Sequence, residues 1–187
     1  NDERAMAVIA EAKRLVPSKP IKYLVNTHHH FDHSGGIRAF AAEGATILTH
    51  EINRSFYGRA FAAPRTLSSD RLAQSGKQAT IETMNDKLTL TDDTRTVELY
   101  HVKGNAHHDG LIMAYLPKER LLIEADAYNP APPDAPPPAQ VNPFSVNLYE
   151  NIERLKLTVD QILPIHGRMV PLAELIKAIG RAPQNDK

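Results

Sequence analysis

The chain has 187 residues, 42% apolar and 24% charged, the composition of a globular protein with enough sequence for one well-filled core. Its 22 basic residues balance 22 acidic ones, so no basic field points to nucleic acid, and no apolar run is long enough to cross a bilayer. It has no cysteine, which excludes disulfides, thiolate ligands and a cysteine nucleophile and leaves the redox compartment, and with it the localisation, unassigned.

The chain opens Asn1-Asp2-Glu3-Arg4, without an initiator Met or apolar signal core, and is expected to be an excised piece of a longer protein. Residues 2–16 read as an amphipathic helix: Ala5, Val8, Ile9, Ala12, Leu15 and Val16 recur at helical spacing, and Pro17 stops it. The apolar run Ile21 to Val25 reads as a strand and feeds Thr27-His28-His29-His30-Phe31-Asp32-His33-Ser34-Gly35-Gly36, a polar turn closed by glycines. Residues 36–43 look helical with Gly44 as the stop, 45–49 form a second strand, 51–62 a helix and 64–77 a loop. Residues 78–102 are β-rich, with Asp92-Asp93 at a turn before the alternating run 96–102.

A second polar turn, Gly104-Asn105-Ala106-His107-His108-Asp109-Gly110, leads into a hairpin (111–116, then 121–123) that ends at Asp126. The hairpin should bring its two ligand-rich ends to the same edge of the sheet. Residues 129–143 hold seven prolines and read as a stiff loop within the domain. Asn147 with Glu150 resembles a capping pair for the next helix. Ile162 to Ile165 is a last strand ending at His166-Gly167, and a final helix starts at Pro171. Strands and helices alternate, so the class is α/β, with 1–187 as a single domain.

Four histidines and one aspartate fall between His28 and His33, and imidazole with carboxylate is the donor set that zinc and similar borderline metals favour. A purification tag would be a longer pure run at a terminus, not one interrupted by Phe31 and Asp32 after a strand. His107, Asp126 and His166 stand at the ends of strand-like runs and are candidate distal donors. His29 reads as a supporting or solvated residue, and His50 and His101 as packing or hydrogen-bonding histidines.

This ordered set resembles the metallo-β-lactamase superfamily, whose His-x-His-x-Asp-His signature stands here as His28-His29-His30-Phe31-Asp32-His33. The resemblance runs from about Lys19 to Pro171. It implies a four-layer αβ/βα sandwich, here with the first sheet incomplete, since only one helix and one strand precede the motif. It also implies that His28, His30 and His107 hold a first metal, that Asp32, His33 and His166 hold a second, and that Asp126 bridges them. His108 is the competing assignment in the third motif. Two Zn2+ per chain are expected, although iron or manganese suits the same donors.

The activity implied is metal-dependent hydrolysis of a small ester, lactone or thioester by a metal-bridging hydroxide, with Asp32 and Asp126 as catalytic carboxylates. β-Lactam hydrolysis, phosphodiester hydrolysis and a catalytically inactive metal-binding module are the alternatives. Tyr128 is a candidate substrate-binding residue because some lactonase relatives carry a Tyr three residues after the bridging Asp; here it is two after, and packing is the competing role. The expected partner is a small molecule, with no nucleic acid and no membrane, and the sequence leaves the oligomeric state unassigned.

Overall fold

A computed structural model describes residues 1–135 and 140–181 and divides the chain into two compact units, Asn1–Asn85 and Asp86–Lys187. In the first unit, helix α1 (Asp2–Leu15) is capped by the Asn1 side chain, which accepts from the Arg4 N–H at 3.0 Å. Strand β1 (Tyr23–Val25) is followed by a single helical turn α2 (Phe31–Ser34) inside the histidine motif, where sequence alone suggested only a turn. Then come α3 (Ile37–Glu43), β2 (Thr46–His50), a 3-10 turn (Glu51–Asn53), α4 (Arg54–Ala62), α5 (Arg71–Ser75) and β3 (Ile81–Met84).

The three strands form a parallel sheet in the order β1-β2-β3. The central strand β2 is buried at Ile47 and Leu48, as a parallel strand covered on both faces must be. Ile37, Ala41, Tyr57 and Leu72 pack with Ile47 as its core. Gly36 is required by a close approach: a Cβ there would lie 2.8 Å from the Ala5 Cβ and the Asn1 carbonyl oxygen. Helix α5 corrects the loop expected at 64–77. Asp70 caps it by accepting from the Ala73 N–H at 2.9 Å, and Gly76 ends it at φ +67°, so its signals were terminal rather than periodic.

The second unit is built on a six-stranded mixed sheet. Strands β4 (Lys87–Thr91), β5 (Thr96–His101), β6 (Ile112–Leu116) and β7 (Leu121–Glu124) run as an antiparallel meander. Strand β8 (Gln161–Pro164) joins β7 in parallel, and β9 (Val170–Pro171) closes the order. A parallel neighbour needs a crossover, and α6 (Pro143–Leu155) supplies it. Leu148 and Ile152 of α6 and Leu175 of α7 (Leu172–Ala178) pack on Leu122, Met113 and Ile162.

Asn142, not Asn147, caps α6. Its side chain accepts from the Phe144 N–H at 2.9 Å, and Pro143 at the first helical position has no N–H to satisfy. Asn147 lies within the helix and works elsewhere. Residues 136–139 of the Pro-rich loop expected over 129–143 lie outside the described residues. No helix among the described residues is long and apolar enough to cross a membrane.

Candidate functional site

In the first unit the histidine-rich turn is held by uncharged polar groups. Asn26, directly after β1, donates from Nδ2 to the His33 carbonyl oxygen at 3.1 Å, which ties the start of the motif to its end. Its Oδ1 accepts from the Tyr57 hydroxyl of α4, which also reaches the His28 carbonyl oxygen at 3.5 Å. Burial pushes the Tyr57 phenol well above its ordinary pKa, so it stays a donor. His29 turns toward Asn53, with its Nδ1 2.9 Å from Oδ1, and stacks on Phe56 at 4.4 Å between ring centroids. Asn53 is fully buried and donates to Thr49 Oγ1 at 3.1 Å.

This frame aims the remaining side chains at one another. His28 is fully buried, with its Nδ1 3.1 Å from Thr27 Oγ1 and its Nε2 3.1 Å from His30 Nδ1. The His33 ring centroid is 4.5 Å from that of His28, and His33 Nε2 is 3.2 Å from Asp32 Oδ2.

In the second unit Val102 N–H bonds to the Leu111 carbonyl at 2.9 Å and closes the turn that carries His107. The buried Asn105 side chain accepts from the His107 N–H at 3.0 Å and is itself held by Asn147 Oδ1 at 3.1 Å. His108 Nδ1 accepts from the Gly110 N–H at 2.9 Å, a turn-closing bond, whereas His107 faces Asp126. His50 Nδ1 accepts from the Ile52 N–H at 3.3 Å, and His101 Nε2 lies 2.7 Å from the Asp109 carbonyl oxygen.

Asp126 stands between two histidines. Its Oδ2 is 3.0 Å from His107 Nε2 and its Oδ1 is 3.3 Å from His166 Nε2. Gly167, after His166, packs its backbone against Pro130, and a Cβ there would lie 3.1 Å from the proline ring. Asp126 has φ +64°, a left-handed conformation that costs a non-glycine residue roughly 1–2 kcal/mol.

Glu124 lies below this turn, 1% exposed. Its Oε2 accepts from the Ala127 and Tyr128 N–H groups at 3.0 and 3.2 Å, and its buried Oε1 meets no partner among the described residues. Burial, with the nearby Asp126 charge adding to it, pushes the Glu124 carboxyl up to about 8. Tyr128 is buried in the core, where burial raises its phenol pKa. It also lines a cavity of about 580 Å³ with Asn129, Ser145, Arg168 and Lys177.

The donors fit a borderline divalent metal. Two ligands on one tetrahedral ion, each at the usual ~2.0–2.1 Å, sit roughly 3.3 Å apart. His28–His30, His33–Asp32, His107–Asp126 and His166–Asp126 all fall between 3.0 and 3.3 Å. Five imidazoles and two carboxylates without sulfur also suit zinc, iron or manganese. Sequence reasoning missed Asn26, Asn53, Tyr57, Asn105 and Glu124, the groups that hold these turns. Asn26 and Glu124 carried a signal, since each is a polar residue at the end of an otherwise apolar strand.

Comparison with known proteins gives a match to the family model described as the metallo-beta-lactamase superfamily, over residues 2–161. The α subunit of 2,4-dinitroanisole O-demethylase from a Nocardioides strain is 30% identical over 110 residues, 59% of this chain and 30% of its own length. A linear primary-alkylsulfatase from a Pseudomonas strain is 26% identical over 96% of this chain and 40% of its own length. The chain thus spans well under half of either curated relative.

A metallo-beta-lactamase from Pontibacter korlensis shares the fold with a TM-score of 0.66 at 18% identity, covering 94% of this chain and 74% of that one. Rubredoxin:oxygen oxidoreductase from Desulfovibrio gigas does so with a TM-score of 0.66 at 19% identity, covering 92% and 45%.

Proposed function

We propose, for a chain that belongs to the metallo-β-lactamase superfamily, a hydrolase that acts on small-molecule substrates through two metal ions, zinc by preference. The supporting observation is the Asp126 carboxylate, which presents one oxygen to His107 and the other to His166. A carboxylate shared between two cations needs that arrangement, whereas a single ion needs only one of the two pairs. The reading assigns His28, His30 and His107 to one ion, Asp32, His33 and His166 to the other, and Asp126 to both.

Bound zinc would supply Lewis acidity and bring the pKa of a coordinated water near neutrality. The protein's own part is to hold and orient. Asp32, with 57% of its side chain exposed and next to His33, accepts the proton of the attacking water and fixes its direction. Asp126 keeps the two sets of donors at a fixed spacing and relays to the leaving group the proton that Asp32 takes from the water. Tyr128 and Arg168, two residues beyond Asp126 and His166, line one cavity, and Tyr128 is the residue proposed to contact the substrate.

Esters, lactones and thioesters are the substrates proposed first, with β-lactams and phosphodiesters as alternatives. The names of the curated relatives, an O-demethylase subunit and an alkylsulfatase, add aryl methyl ethers and alkyl sulfates to the panel. Iron is the second choice of metal, because imidazole and carboxylate donors without sulfur suit it as well. Elemental analysis together with turnover of one substrate from each class tests the proposal. Two metals per chain with hydrolysis of at least one class supports it. Bound metal without turnover of any would make the chain a metal-binding module.

A further inference from the structure

We infer that Glu124 is the positioning residue for Asp126, its side chain clamping the turn that presents the bridging carboxylate. The inference rests on the metal reading above, because it gives Asp126 an ion to hold. Three observations within the second unit converge on it.

The Glu124 side chain is enclosed by the end of β7, beside the fully buried Ala125 and one residue beyond the apolar pair Leu122-Ile123. A residue there only to fill space would be apolar. Its side-chain hydrogen bonds converge on one place: Oε2 accepts from the Ala127 and Tyr128 N–H groups, the two amides that follow Asp126. Those amides fall at the left-handed turn where Asp126 has φ +64°, a conformation that the surroundings must enforce.

The Glu124 main chain adds a second tie. Pro164 stands opposite Glu124 in the parallel β7–β8 register, and the Glu124 carbonyl accepts from the N–H of the next residue, Ile165, at 2.9 Å, continuing the parallel ladder past the strand end. Ile165 precedes His166. One residue therefore anchors the turn of Asp126 through its side chain and the turn of His166 through its backbone. Replacing the side chain breaks the first tie and leaves the second, so the two contributions can be separated.

Glu124→Met and Glu124→Leu remove the acceptor at similar volume, whereas Glu124→Gln keeps a carbonyl oxygen that can accept from both amides. The probe is Co2+, titrated into the metal-free full chain and followed by its visible absorption. Exchange of the Ala127 and Tyr128 amides is measured by NMR in the same proteins.

Glu124→Met is expected to weaken Co2+ binding about 10–100-fold, the usual cost of losing a group that orients a ligand, to alter the absorption bands, and to speed exchange at those two amides while β6 and β7 stay protected. Glu124→Gln is expected to stay within about threefold of the parent, with the parent spectrum. Parent-like affinity and spectrum in a folded Glu124→Met or Glu124→Leu would overturn the inference and leave the metal reading standing. Failure of both apolar variants to fold would overturn it as well, because the carboxyl would then serve the fold and not the site. A parent protein with no saturable Co2+ binding would overturn the metal reading and this inference together.

Discussion

The His28–His33 turn of the first unit and the Asp126 turn of the second are held by different chemistry, while the His107 turn of the second unit is held by the Asn105 and Asn147 amides. In the first, the His28–His33 segment is braced by neutral groups, the Asn26 and Asn53 amides and the Tyr57 hydroxyl, each bonded to the segment or to a group beside it. In the second, one buried carboxyl carries the turn at Asp126, with an oxygen left over. Neutral amides are cheap to bury once bonded, and they suit a segment whose backbone is ordinary. A buried carboxyl is costly, yet a single oxygen can accept from two adjacent N–H groups at once, which a left-handed turn needs. The expense falls where the backbone is least relaxed.

The strongest break in this comparison is removal of Asp126 itself. Asp126→Ala should abolish turnover and deplete both metals, because it leaves His107 and His166 without their shared partner. His107→Ala and His166→Ala should each remove one metal preferentially. Elemental analysis checks this asymmetry, and equal loss from both histidine variants would contradict the assignment of one oxygen to each.

In the first unit the corresponding break is Tyr57→Phe. It keeps the ring packed against Phe56 and Phe61 but takes away the donor to Asn26. The buried Asn26 oxygen then loses that bond, at a cost of about 1–3 kcal/mol in unfolding free energy. Denaturant unfolding of the metal-free protein measures it. Metal affinity should fall less than in Asp126→Ala, since Asn26 still ties to the His33 carbonyl through its amide.

How much was legible in the sequence follows the same division. The donors themselves could be read, because a dense His/Asp cluster after an apolar run and polar turns at strand ends are local patterns. The hairpin that brings His107 to Asp126 could be read too, from two apolar runs around Pro117-Lys118-Glu119. The braces could not. Asn26 meets Tyr57 across 31 positions and Asn105 meets Asn147 across 42, and nothing periodic or local marks such pairs. Helix α5 escaped for another reason: five residues are too few for a periodic pattern, and only Asp70 and Gly76 announce it.

A smaller effect probes a half-buried charged brace in the first unit. The Arg38 guanidinium, which donates to both oxygens of Asp70, holds that carboxyl below the ordinary aspartate range. A lowered pKa contributes stability above the unfolded value near 3.8 and loses it as the pH falls through the folded one. Asp70→Asn should therefore cost about 1 kcal/mol at neutral pH, with the deficit shrinking below roughly pH 4. Urea unfolding at a series of pH values checks it. A deficit that stayed constant into acid would rule out the ion pair as its source, since asparagine keeps an oxygen that can accept from the Ala73 N–H and so preserves the helix cap.

The smallest expected effect on stability is also the most informative about substrate. Phe31 sits between the donors His30 and Asp32 and is 80% exposed, so its ring gains little from folding. Gly35 leaves room for it: a Cβ there would come within 3.3 Å of the ring. Phe31→Ala should change the unfolding free energy by less than about 0.5 kcal/mol, as surface substitutions do, and leave metal content intact. If His30 and Asp32 hold metal as proposed, the exposed ring between them is open to the apolar part of a substrate, a contact worth roughly 1–2 kcal/mol when the ring becomes half covered. In an ester series of increasing acyl length, Phe31→Ala should therefore raise KM progressively with length while kcat on the shortest member stays put. A uniform change across the series would assign the ring to the turn's own geometry instead.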